Sequence, residues 1–440
     1  MNHDWRIPWD ELRQAGLEAI GYRRFGHVDE VAGLMIESTG PAVAIGELCE
    51  IHSGGEPVLA EVVGFRGRTV LLMPMGSISG VRPGSLIISR GQAERVAVGE
   101  GLLGRVVDAL GRPMDHLAAP RLSEHAPLHA APINPMKRRR IDTPLDLGIR
   151  AVNGLLTVGK GQRMGIFAGS GVGKSTLLGM MARYTAADVN VIGLIGERGR
   201  EVVEFLEREL GPQGIARSVV VVATSDQPPV FRLRAAFLAT AIAEHFRGQG
   251  KDVLLMMDSI TRFAMAQREV GLARGEPPTS KGYPPSIFMM LPRLLERAGR
   301  DDGPGSITGL YTVLMEGDDL QDPIVDTARG ILDGHILLSR DLADRGHYPA
   351  IDVLGSISRL MEELAADPHK KAARRMREML AVYRRAEDMI NIGAYAKGSN
   401  PRIDQAIKLI DPINGYLQQA IGDNLSLDES VRQLSGLFPG

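Results

Sequence analysis

The sequence predicts a chain of several parts. Its centre is an α/β domain on a mainly parallel sheet, with a small β-rich domain before it and a helical domain after it. Three observations carry that expectation. Between about 150 and 360, apolar strand-like runs alternate with helical stretches, the pattern of a parallel sheet covered on both faces. From about 25 to 95, short β-type runs are punctuated by glycine, at the spacing of a small sandwich or barrel. After Pro368 the periodicity turns helical. At 440 residues the chain is also too long for one core.

Taken in order, residues 1–24 are polar, with Trp5, Trp9, Leu12, Leu17 and Ile20 spaced roughly as one face of a short helix. This segment reads either as a frayed terminus or as a docking helix for a partner. The β-rich part, 25–95, contains VAGLMIE (31–37), AEVVGF (60–65), RTVLLMPM (68–75) and GSLIIS (84–89). A Pro-rich connector between Ala126 and Gly148 cannot form a long helix, so it reads as extended chain wrapping the next domain. The central part, 96–365, carries the strand-like runs MGIFAG (164–169), VIGLIG (191–196), SVVVVAT (218–224), DVLLMMD (252–258) and SITGLYTVLM (306–315). In the last part, 366–440, Ala372, Met376, Met379, Leu380 and Tyr383 line one apolar helix face. Lys370, Lys371, Arg374, Arg375, Arg377, Arg384 and Arg385 make the same stretch basic. A second helical stretch carries Ile403, Ile407, Ile410 and Leu417.

Composition narrows the function classes. A formal charge of −2 gives no global pull toward nucleic acid or anionic membrane. One cysteine, Cys49, excludes an intramolecular disulfide and fits a reducing compartment. No apolar run approaches bilayer length, and the first residues lack a signal-peptide layout, so a cytoplasmic protein is expected.

The chemistry concentrates in IFAGSGVGKSTLLG, Ile166 to Gly179. The strict pattern G-x-x-x-x-G-K-[ST] fails at its first position, which holds Ala168. Everything else fits a polyphosphate grip. Gly169, Gly171 and Gly173 let backbone N–H groups turn inward around phosphate oxygens. Lys174 reaches the β- and γ-phosphates, Ser175 offers a hydroxyl to Mg²⁺, and the helix that follows points its positive end at the anion. Ala168 falls where the preceding strand should end, before the tight part of the loop, so a methyl is tolerable there. Nucleotide is therefore expected on Ser170, Gly171, Val172, Gly173, Lys174, Ser175 and Thr176.

Two carboxylates complete the pattern. Asp258 ends an apolar strand-like run at the edge where ligands bind in open α/β sheets, suiting it to the metal's water shell; alone it also reads as a helix cap. Glu197 follows VIGLIG directly. At the end of a strand neighbouring the loop strand it could polarise the attacking water, although a surface glutamate would look the same. Arg198, Arg200 and Glu201 add both charge signs nearby. Arg262, four residues beyond Asp258, suits either a γ-phosphate contact or a helix-surface ion pair.

Together AGSGVGKST, IGERGREV, LLMMDSITRFAMAQREVGLARGEPPTSKGYPPS, YTVLMEGDDLQDPIVD, ILDGHILLSR and RGHYPAIDVLGSISRLM resemble the rotary-type ATPases of the F1 family. More closely, the chain resembles the branch that powers flagellar protein export and its relatives in virulence type III secretion. The resemblance implies a RecA-like P-loop ATPase domain, an N-terminal β-barrel and a C-terminal helical domain, and in that family Ala at the first loop position is ordinary. It implies that Glu197 is the general base, Arg198 an auxiliary arginine and Arg262 a γ-phosphate contact. It places Ser175, Asp258 and Glu201 around Mg²⁺ and Tyr348 against adenine. It makes Arg359 an arginine finger reaching into a neighbouring subunit; alone, Arg359 reads as an ordinary helix arginine. Asn153 departs from the pattern, since relatives commonly carry Asp there.

A finger supplied from next door requires a ring, and the resemblance implies that the ring is a homohexamer. The resemblance further implies a regulatory or stator-like protein at the N-terminus, a central stalk-like protein, an export-gate membrane protein and chaperone–client complexes as partners. It also implies peripheral association with the inner face of the membrane. Three other readings compete. A proton-driven ATP synthase subunit would share the site, yet its acidic D-E-L-S-E-E-D run is missing here. An RNA-translocating ring would need bases to stack, and residues 25–95 hold only Phe25 and Phe65 as aromatics, so no specific nucleic acid is expected. A non-enzymatic subunit would not need both Lys174 and Glu197. Within the export branch, LQDPIVDTARGILDGHILLSRDLADRGHYPAID and INIGAYAKGSNPRIDQAI resemble the flagellar members more closely than the virulence ones.

Overall fold

The computed structural model describes residues 24–91, 95–315, 317, 319 and 321–438. The expected docking face on Trp5, Trp9, Leu12, Leu17 and Ile20 lies outside them. The chain divides into two compact units: one runs to Glu94 and includes Ala273–Gly275, and the other runs from Arg95 onward. No helix among the described residues is long and apolar enough to cross a membrane.

The first unit is a closed six-stranded antiparallel barrel of β1 (Phe25–Ala32), β2 (Met35–Thr39), β3 (Leu48–His52), β4 (Val58–Arg66), β5 (Thr69–Pro74) and β6 (Leu86–Ser89), in the order β1-β2-β5-β4-β3-β6. Closure removes the sheet edges that invite aggregation. The run VAGLMIE is not one strand, because it folds back on itself as the β1–β2 hairpin, pairing Ala32 with Met35. Val28, Ile36, Ile51, Val62, Leu72 and Ile87 fill the barrel with Cys49. Burial pushes the Cys49 thiol up to about 12, which leaves it an inert apolar filler.

The second unit is built on a sheet whose main path is β14-β13-β8-β12-β11-β9-β10-β7. These strands are β7 (Arg105–Asp108), β8 (Arg163–Ala168), β9 (Val189–Glu197), β10 (Ser218–Thr224), β11 (Asp252–Asp258), β12 (Ser306–Leu314), β13 (Gly334–Leu337) and β14 (Ile357–Ser358). From β13 to β7 every pairing on this path is parallel, and β14 closes one edge antiparallel. The strands are continuous Val/Ile/Leu/Met runs because both faces are covered. One cover is the helix Pro229–Gly248, most of whose residues are buried.

One expectation is corrected here. The strand that ends in Glu197, β9, is not a neighbour of the loop strand β8, because β12 and β11 stand between them. Parallel strands are joined by long crossovers, so adjacency along the chain does not fix adjacency in the sheet.

The C-terminal helices share the core of this unit. Ala372, Met376 and Met379 of the helix Asp367–Asn391 and Tyr416 and Leu417 of the helix Pro401–Leu417 pack in one apolar cluster with Leu155, Ile166 and Leu178. Polar bonds fix that packing. His369 Nε2 meets the Gly154 carbonyl at 2.7 Å, and Gln419 donates to the Gly148 carbonyl at 2.8 Å. Arg377, counted above with the basic face, is turned inward instead. Its guanidinium donates to the carbonyls of Val353 (2.6 Å) and Leu155 (2.9 Å).

Candidate nucleotide site

β8 ends at Ala168, whose carbonyl still accepts a sheet-edge bond from the Met315 amide (3.0 Å). The position that breaks the strict loop pattern therefore belongs to the strand, where a buried methyl is at home. Beyond it Gly171 and Gly173 take φ of +77° and +83°, which side chains resist, and Gly173 caps the helix α1 (Lys174–Tyr184). Ser170 and Gly171 are exposed while Val172 is buried, so Val172 offers only its backbone to a ligand. Ser175 is exposed in the first turn of α1.

Lys174 turns across the strand ends toward both acids. It forms an ion pair with Asp258, and its Nζ lies 3.6 Å from Glu197 Oε1. This reach brings Glu197 into the site although two strands separate β9 from β8. Asp258 ends β11, is buried, and also accepts from Thr312 Oγ1 at 2.6 Å. Glu197 ends β9 after an irregularity in the pairing with β10, where Gly196 has φ +74°. A methyl at Gly196 would lie 2.8 Å from Arg262 Cβ, so glycine there both re-aims Glu197 and admits Arg262.

The charges follow from this packing. Burial pushes the Glu197 carboxyl up to about 7, helped by the negative charge of Asp258 and a hydrogen bond to Glu201, while Lys174 pulls it back. Glu201, at the receiving end of that bond and next to Arg198, is held below the usual carboxylate range. Burial works against the Lys174 ammonium, but Asp258 and Glu197 outweigh it and keep its pKa above the ordinary lysine value.

The remaining expected residues fall in three places. Arg262 is at the site, and its buried Nε has no hydrogen-bond partner among the described residues. Tyr348 is there too, its ring so close that a methyl on Gly173 would lie 3.3 Å from it. Arg198 points outward, largely exposed, and pairs with Glu201 at 2.9 Å. Thr176 turns its hydroxyl away to Glu209 Oε1 (2.9 Å), leaving its backbone for phosphate. Arg359 is not brought into the cluster. It follows β14 at the sheet edge, is exposed, and donates to the Arg329 carbonyl at 3.2 Å.

Sequence reasoning missed three residues. Arg340 donates to the Ser170 carbonyl at 3.1 Å, so the segment carrying Arg340 and Tyr348 touches both ends of the loop. Thr312 holds Asp258, and Glu209 holds Thr176. The SRD start of a short helix marked Arg340 as exposed and charged; nothing local marked the other two.

Fold and site together define a phosphate-loop nucleotide-binding protein. The comparisons with known proteins agree along the chain. Residues 148–358 match the nucleotide-binding domain of the ATP synthase alpha/beta family, and 28–91 match that family's beta-barrel domain. Residues 365–436 match the T3SS EscN ATPase C-terminal domain. The flagellum-specific ATP synthase of Bacillus subtilis is 54% identical over 419 residues, 94% of this chain and 95% of that protein. The type 3 secretion system ATPase of Xanthomonas euvesicatoria is 52% identical over 424 residues, 96% and 95% of the two chains. Among solved structures, the assembled ATPase EscN of the enteropathogenic E. coli type III secretion system superposes with a TM-score of 0.89 at 46% identity, over 94% of this chain and 99% of that one. EscN in complex with its central stalk EscO gives 0.87 over the same shares. The chain belongs to the ATP synthase alpha/beta family and is an ATPase.

Proposed function

We propose that this ATPase powers type III protein export, in the flagellar branch, working as a homohexamer. The observation that carries the site reading is the largely buried Lys174 side chain held between Asp258 and Glu197 at the mouth of the loop, with Glu197 poised near neutral pH. A carboxylate titrating near 7 is suited to take a proton from the attacking water, since it is substantially ionised at working pH yet basic enough to accept. Lys174 stays charged and is suited to hold the β- and γ-phosphates. Arg262, whose buried Nε has no hydrogen-bond partner among the described residues, is suited to the γ-phosphate. Tyr348 offers a half-exposed ring for adenine.

The donors fit Mg²⁺, which prefers an oxygen set of hydroxyl, one or two carboxylates and phosphate. The exposed Ser175 hydroxyl, Asp258 and Glu201 are the residues that would hold it. When bound with ATP, the ion would supply neutralising charge on the phosphate oxygens. Arg198 would add charge at the rim, and Arg359, exposed at the sheet edge, would serve the site of the neighbouring subunit.

Export as the task rests on the relatives. Both the flagellum-specific enzyme and the type 3 secretion ATPase match nearly end to end. The virulence branch stays as the second reading because its relative is only two points less identical. A central stalk-like protein, a stator-like partner at the N-terminus, an export gate, chaperone–client complexes and attachment at the inner face of the membrane belong to the same proposal. Its test is Lys174→Ala in cells lacking the native gene: loss of ATP hydrolysis together with loss of flagellar export is expected. Normal flagella with a hydrolytically dead protein would overturn the task while leaving the enzyme.

A further inference from the structure

α2 (Gly199–Glu204) begins two residues beyond Glu197 and runs on into a π-helical turn, Phe205–Leu210. Such turns are rare and concentrate at functional sites. Glu209, in this turn, makes three contacts with α1. Its carboxylate accepts the Thr176 hydroxyl at 2.9 Å. Its backbone passes so near Gly179 that a methyl there would lie 2.7 Å from the Glu209 carbonyl oxygen. That same oxygen accepts Arg183 Nη1 at 2.6 Å. Positions 176, 179 and 183 are three and four apart, one face of α1. A single residue on the segment carrying Glu197 thus grips the whole length of the helix whose first residue is Lys174.

We propose that Glu209 is a positioning residue for ATP hydrolysis, fixing the phosphate-loop helix to the Glu197 segment so that phosphate grip and base keep one spacing. The inference rests on the reading of Glu197 as the base. A charge-assisted bond from Thr176 to a carboxylate sets register as apolar packing does not, and is roughly twice as strong as a neutral one. Spacing matters because a misplacement of about 1 Å can cost about 10² in rate.

The test uses the full chain with Thr176→Val, which keeps shape and removes the hydroxyl, Glu209→Ala, their double variant, and Glu209→Gln, whose amide oxygen can accept the same bond. Steady-state ATP hydrolysis and equilibrium ATP binding are measured on each. Thr176→Val and Glu209→Ala are expected to lower kcat by about 5- to 50-fold, with KM and Kd within about two-fold. The double variant should be no worse than the worse single one. Glu209→Gln, which keeps the bond geometry but not its charge assistance, should fall between wild type and Glu209→Ala in kcat. Wild-type kcat in the first two variants overturns the proposal even if they melt earlier, as do losses confined to KM and Kd or additive losses in the double variant. Should Glu209→Ala fail to fold, the near-isosteric Thr176→Val decides alone. Glu197→Gln run beside them separates the two claims. An active Glu197→Gln sinks the base, whereas an inactive one beside fully active Thr176→Val and Glu209→Ala sinks only the link.

Discussion

Glu197→Gln should make the folded chain more stable above pH 7, the opposite of what removing a partner of Lys174 suggests at first sight. The Glu197 side chain is only 14% exposed, and its carboxyl rises from the ordinary 4.5 to about 7. A raised carboxyl favours the folded state while protonated, so its contribution is fully present below about pH 4.5 and is lost as pH rises through 7. Above 7 the fold bears the ionised group at a cost of about 3 kcal/mol, taking roughly 1.4 kcal/mol per pH unit. Gln carries no such charge and keeps the shape. The assay is urea unfolding of nucleotide-free, magnesium-free protein at pH 8.5 and pH 5, wild type against variant. The variant's advantage should be about 2–3 kcal/mol at the higher pH and shrink toward acid. No gain at pH 8.5, or a gain that grows toward pH 5, would refute the description of Glu197 as a largely buried carboxyl raised by desolvation.

Three further outcomes are expected. Arg359→Ala should cut turnover by about 10³ or more with ATP affinity within a few-fold, and mixing it with Lys174→Ala chains should restore activity. Mixed rings shown by cross-linking to form, yet inactive at every ratio, would leave Arg359 acting in its own chain or as structure. Asn153→Asp should destabilise the second unit by about 2 kcal/mol at pH 7, because Asn153 Nδ2 donates to Asp146 Oδ1 at 2.8 Å in a buried site. Two facing carboxylates raise the pKa of the new acid, so the deficit should fade as pH drops toward 4, and thermal melts across that range check it. Gly173→Ala should weaken ATP binding by about ten-fold, since φ +83° costs a side chain about 1–2 kcal/mol and the methyl meets Tyr348; unchanged affinity in a titration would contradict it.

Much of this was legible because the site is built from strand ends. An apolar run stopped by a functional residue marks its own register, which is how Ala168, Glu197 and Asp258 could each be read as a strand end, although spacing alone left Asp258 also a helix cap and Glu197 also a surface glutamate. Lys174 and Ser175 follow from the loop pattern. What the sequence hid is what depends on strand order. Thr312 lies 54 residues from the Asp258 it holds, and Lys174 spans two intervening strands to reach Glu197. Composition also misled at single residues. Arg377 looks like a surface charge until the carbonyls of Val353 and Leu155 claim it, and VAGLMIE looks like one strand because the hairpin turn is only Gly33-Leu34. The finger role proposed for Arg359 could be named only through resemblance, since a residue that serves another subunit would leave no mark within its own chain.

The most direct test of the account is a single-turnover measurement on Glu197→Gln with Mg²⁺ and saturating ATP, alongside equilibrium ATP binding by the same sample. The account predicts ATP held with near wild-type affinity and cleaved at least about 10²-fold more slowly, the loss expected of a missing general base. Cleavage at the wild-type rate would contradict it, and so would a rate loss matched by an equal loss of binding.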